Sequence, residues 1–160
     1  MHPGAYLRGE RPLKVGVGVG ALASRGWEVV DRGELGEFTT AQLLRLGAPG
    51  RVAAVAARGW GGDAYALLSR RRAPADCAPA CRRRRVLVVE WRWDSEAEAR
   101  EFRRALPAYL VGGLAAEPHG AAAWTLDGGW AASHVAGASI RVAFAPRARL
   151  ARLAATAPPS

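Results

Sequence analysis

The chain has 160 residues, half of them hydrophobic and 23% charged. That is room for one ordinary domain and the composition of a folded chain rather than a disordered one. Twenty-three basic against fourteen acidic residues give a net charge of +9, which raises a nucleic-acid reading. No stretch reaches the ~20 apolar residues of a bilayer span; the nearest, Ala105 to Ala116, is interrupted by Pro107 and two glycines.

In chain order, residues 1 to 26 read as an irregular arm laid over the domain. The run Val15-Gly16-Val17-Gly18-Val19-Gly20 misses the dinucleotide-binding fingerprint, because its third glycine comes one residue early. The single domain is expected over 27 to 157, with a frayed tail at 158 to 160. Trp27 to Asp31 predicts a short strand. Phe38 to Leu46 predicts a helix, with Phe38, Gln42, Leu43 and Leu46 at helical spacing and Gly47 closing it. Arg51 to Arg58 predicts an alanine-rich helix ending at Gly59. Asp63 to Arg70 and Arg84 to Trp93 make the best strand pair. In the second strand Leu87, Val89, Trp91 and Trp93 point one way, so that face is expected to be buried. Its other face, Val86, Val88, Glu90 and Arg92, is expected to turn from apolar to polar.

The clearest helix follows, at 95 to 106. Ser95 is its N-cap candidate, with Glu98 three residues on. Ala99, Phe102, Leu106 and Tyr109 form the stripe expected to be buried, and Pro107 should end or kink the helix. Ala122 to Leu126, Trp130 to Val135 and Ser139 to Phe144 then predict a strand meander, and Arg147 to Thr156 a terminal helix. The fold class is α+β: an antiparallel sheet built from the long hairpin and the C-terminal meander, with a helix across one face. Much of the hydrophobic fraction is alanine, which gains little on burial, so stability is expected to lean on the six tryptophans.

The charge is local. Arg70, Arg71, Arg72, Arg82, Arg83, Arg84 and Arg85 face only Asp76, while residues 86 to 127 carry four arginines against seven acids. Those seven arginines are the candidate polyanion contacts. No aromatic residues alternate with them, as single-strand binders require, so nucleic acid is not the expected partner. Cys77 and Cys81, three residues apart at the hairpin tip, are a disulfide candidate if the turn is tight enough, and two unpaired thiols otherwise. A zinc site would need further ligands, and His2, His119 and His134 lie in distant segments. No metal, cofactor or complete catalytic motif is expected. Ser133 and His134, adjacent on a strand, face opposite ways. Gly59-Trp60-Gly61-Gly62-Asp63 and Trp93-Asp94-Ser95 read as structural corners. An unseen hydrolase site would centre on Asp63 and His134.

Several motifs in sequence order carry a resemblance. His2-Pro3-Gly4-Ala5-Tyr6-Leu7-Arg8-Gly9-Glu10-Arg11-Pro12 is similar to a stretch downstream of the catalytic helix in actinobacterial and haloarchaeal surface proteins that resemble zinc metallopeptidases. Gly26-Trp27, Leu35-Gly36-Glu37-Phe38, Gly59 to Asp63, and Trp91 to Ser95 with Ala99-Arg100-Glu101-Phe102 follow in the same order, covering roughly residues 2 to 110. The H-E-x-x-H helix precedes this region in that family and has no counterpart here, so no catalytic or metal residue carries over. The resemblance implies a non-enzymatic accessory or remnant domain of an exported peptidase-like protein, packing against a partner half or itself. It implies an extracellular or cell-surface location. Met1 to Lys14, which lacks the apolar stretch of an export signal, points to the cytoplasm instead.

Overall fold

The computed structural model describes residues 11–72 and 82–158. Seven strands form one antiparallel sheet: β1 (Trp27–Gly33), β2 (Trp60–Arg70), β3 (Arg85–Trp93), β4 (Glu117–Pro118), β5 (Ala123–Leu126), β6 (Gly129–Ala136) and β7 (Ser139–Ala145), in spatial order β1-β2-β3-β7-β6-β5-β4. The helices are α1 (Gly20–Ala23), α2 (Gly36–Arg45), α3 (Gly50–Ala57), α4 (Glu96–Ala108) and α5 (Ala148–Thr156). The expected hairpin is β2 with β3 and the expected meander is β5 to β7, so the α+β architecture holds. No helix among the described residues is long and apolar enough to cross a membrane.

Alternation on the central strands sends side chains to two cores. Val89, Trp91 and Trp93 meet Phe102 and Leu106 of α4 and Leu44 of α2 on one face. Phe102 sits against both indoles, its ring centroid 5.1 Å from Trp91 and 4.8 Å from Trp93. Val86, Val88, Ala132 and Ala143 meet Ala151, Ala154 and Ala155 of α5 on the other, with Val17 and Leu22 from the N-terminal segment. The sheet carries α4 across one face as expected, and α5 covers the other as well. Glu90 lies on the second face and is buried at 6% exposure, because α5 covers it and Arg141 supplies the opposite charge. Five of the six tryptophans are buried, Trp130 being the half-buried exception. Large rings thus carry the core that alanine alone would leave weak.

Three local expectations change. The helix at 36–45 buries Thr40 and Leu44, while Phe38 is 76% and Leu46 59% exposed. The sequence spacing marked a stripe, but the burial follows Trp91, whose Nε1 donates to Thr40 Oγ1 at 3.0 Å. Pro107 does not end α4. The helix passes through it to Ala108, and the next turn, Tyr109–Gly113, widens into a π-helix. The regular α-helical pattern thus gives way within two residues after the proline. The arm is not separate from the domain either: Val17 and Leu22 belong to the core, and the Leu13 N–H donates to Gly61 O at 2.7 Å. A Cβ on Gly62 would lie 2.4 Å from Leu13 O, so only glycine lets the arm cross there.

At the start of α4 the Ser95 hydroxyl accepts from the Glu98 N–H at 3.3 Å and donates to the Glu98 carboxylate at 2.8 Å. The capping pair read from the sequence forms, with Glu98 holding the cap hydroxyl.

Candidate functional site

An apolar concavity lies between the sheet and the helical layer. Its floor comes from β2, β3 and β7 through Tyr65, Leu87, Val89, Val142 and Phe144; α2 supplies Thr40 and Leu43, α4 supplies Leu106, and the π-turn supplies Tyr109. The register explains the floor. Tyr65 pairs with Val89, Val89 with Val142, and Leu87 with Phe144, and directly paired residues project to the same face. This cavity is about 260 Å3. A second of about 360 Å3 adjoins it, sharing Leu87 and Phe144, and opens beside Leu114, Leu126 and the Asp127-Gly128-Gly129 turn.

The inner cavity contains no charged side chain, and the polar side-chain groups of its lining are three hydroxyls and the Trp91 indole N–H. Tyr65 donates to Asp31 Oδ2 at 3.0 Å. The Thr40 oxygen accepts from Trp91 Nε1. Tyr109 has burial as the cause of its raised pKa. Tyr65 is also pushed above the ordinary phenol value of 10.0, first by the hydrogen bond to Asp31, then by burial and the Asp31 charge. The sign follows: a phenol raised on folding stabilises the fold fully below about pH 10 and loses that contribution as pH climbs through its folded pKa. Replacing Asp31 by Asn is expected to lower one tyrosine transition toward its ordinary value. Alkaline titration of phenolate absorbance checks this, and an unmoved transition would refute the assignment.

The residues singled out from the sequence lie elsewhere. Asp63 is buried at 1% exposure, and its carboxylate accepts from Leu35 N–H at 2.7 Å, Gly36 N–H at 2.8 Å and Trp60 Nε1 at 3.0 Å. Gly59, with φ of +75°, turns the chain into this corner, and a Cβ there would meet the Glu98 carboxylate. Asp94 N–H donates to Gly59 O at 2.8 Å, so the Gly59 to Asp63 and Trp93 to Ser95 segments form one junction.

Asp63 and His134 do not meet. Asp63 pairs with Trp91 and shares its face, whereas His134 pairs with Arg141 on the opposite face. Ser133 and His134 likewise project to opposite sides. Among the described residues no three His, Cys, Asp or Glu groups gather as metal ligands.

Of the arginines, Arg70 lies over the Trp27 ring at 5.9 Å and Arg71 pairs with Glu28 at 2.6 Å. Arg83, Arg84 and Arg85 are also engaged, and Arg72 is exposed. Arg82 opens a short 3-10 turn, Arg82–Arg84. Cys77, Cys81 and their proposed pairing lie outside the described residues.

A polar pocket of about 180 Å3 on the second face gathers Glu90, Arg92, His134, Ser139 and Arg141 beneath the end of α5. Within it Arg141 bonds Glu90 and the Ala157 carbonyl, and Arg92 donates to the Ser139 hydroxyl at 3.2 Å. The apolar cleft thus remains the stronger site. Sequence reading missed it because six elements contribute its walls. Its available signals were the Leu87-Val89 alternation and Tyr109 at the end of the α4 stripe.

A family model described as a domain of unknown function, DUF8575, matches residues 24–154. The chain belongs to this family. No curated protein and no solved structure matches it. The DUF8575 match takes in every strand of the sheet and every residue lining the two apolar cavities.

Proposed function

We propose that this DUF8575 domain is a non-catalytic binding module that receives a small apolar ligand in the cleft between its sheet and α2–α4. The observation that carries the reading is the inner cavity, with aliphatic and aromatic walls, a few hydroxyls and no charge. Such a lining discriminates by shape and apolar area and offers no counter-charge to an ion. A ligand that binds the folded cleft and not the unfolded chain stabilises the fold. Titration with the neutral probe N-phenyl-1-naphthylamine is expected to give saturable one-to-one binding with enhanced fluorescence. Leu43→Trp, which places a large ring in the cleft, should weaken it at least tenfold, while Phe38→Ala on the helix exterior should not. Absence of saturation, or equal binding by the Leu43 variant, would exclude the cleft.

A second reading makes the domain the accessory half of an exported peptidase-like protein, resting on its partner half. What supports it is the group of exposed apolar side chains on the helical layer: Phe38, Leu46, Val52 and Val111. Exposed apolar surface of this kind favours a covering partner. Polyanion binding through Arg70 to Arg85 is weaker, since Arg70 and Arg71 already have partners.

A further inference from the structure

The hydroxyls of the cleft specify more than apolarity. Tyr65 has committed its proton to Asp31. Thr40 has committed its oxygen to Trp91 Nε1 and retains its own proton. Tyr109 is half-buried in the lining, and its hydroxyl makes no hydrogen bond among the described residues. Thr40 is only 1% exposed, so the hydroxyl left for a ligand in this uncharged lining is that of Tyr109. A donor in apolar surroundings gains from a matching acceptor. An ionised acceptor would enter without a counter-charge, so the fitting acceptor is neutral.

We infer that the cleft selects neutral ring compounds bearing a carbonyl oxygen, with the Tyr109 hydroxyl as the donor. This rests on the cleft being a ligand site at all. Burial acts in the same direction on Tyr109: by disfavouring the phenolate it keeps the hydroxyl a donor across the physiological range.

The test compares two naphthalenes of nearly equal size, 6-propionyl-2-(dimethylamino)naphthalene and its 6-propyl counterpart without the carbonyl, by fluorescence titration of the full chain. The ketone is expected to bind about tenfold more tightly, the scale of one net hydrogen bond. Tyr109→Phe should remove that advantage, leave the hydrocarbon's affinity unchanged, and shift the bound ketone's emission to shorter wavelength as its carbonyl loses the donor. Because that hydroxyl bonds nothing within the described protein, the substitution does not disturb the fold. Equal binding of the two compounds, or an advantage that survives Tyr109→Phe, overturns the inference while leaving the cleft as an apolar site. Failure of both compounds to bind overturns the proposed function itself.

Discussion

Arg141→Met is expected to destabilise the domain by about 3–5 kcal/mol, the range for removing one member of a buried ion pair. Arg141 and Glu90 are 4% and 6% exposed, and the guanidinium donates to the Glu90 carboxylate through Nε at 2.7 Å and through Nη2. Its Nη1 holds the Ala157 carbonyl at the end of α5. The single variant leaves Glu90 charged beneath that helix with no cation in reach of those bonds. With urea m-values of about 1–3 kcal/mol per M, the denaturation midpoint should fall by a molar or more. The double variant Glu90→Leu, Arg141→Met removes both charges and should recover most of the loss. A double variant as unstable as the single one would show that the pair's partners, and not charge isolation, set the cost.

Asp63→Ala is the second large effect, at about 4 kcal/mol. Three donors converge on that carboxylate, the backbone N–H groups of Leu35 and Gly36 and the Trp60 indole. Each bond to a charged group contributes about 1.5–3 kcal/mol, less what water returns to the partly exposed donors. The substitution frees the start of α2 from β2, so hydrogen exchange should rise first at Leu35 and Gly36 and stay slow in β3 and β7. Loss of protection spread evenly over the sheet would argue against a local anchoring role.

What the sequence makes legible follows the range of the interactions involved. The β3 alternation, the Ser95 cap and the α4 stripe rest on neighbours within a few positions, and all appear in the structure. The second buried face of the sheet depends on Glu90 finding Arg141, 51 residues away. No periodicity encodes that pairing; the β3–β7 register creates it. The same holds for α2. Its spacing favours Phe38 and Leu46, yet its rotation is set by Thr40 meeting Trp91, also 51 residues distant. Pro107 marks a change rather than a stop: the chain stays helical past it and then widens at Tyr109–Gly113. The cleft was the least legible feature. Tyr65, Leu87, Tyr109 and Phe144 are ordinary apolar positions until the topology sets them around one space. The Asp63 corner was legible because its glycines and tryptophan are close in sequence.

The second core has a thinness that the first lacks. Ala132, Ala143 and Ala145 on the sheet oppose Ala151, Ala154 and Ala155 on α5, all of them buried. Methyl groups facing methyl groups set the spacing between these layers, so even one valine there must lift the helix. Lifting α5 also draws the Ala157 carbonyl away from Arg141, so a purely steric change on the alanine seam becomes an electrostatic one at the far end of the helix.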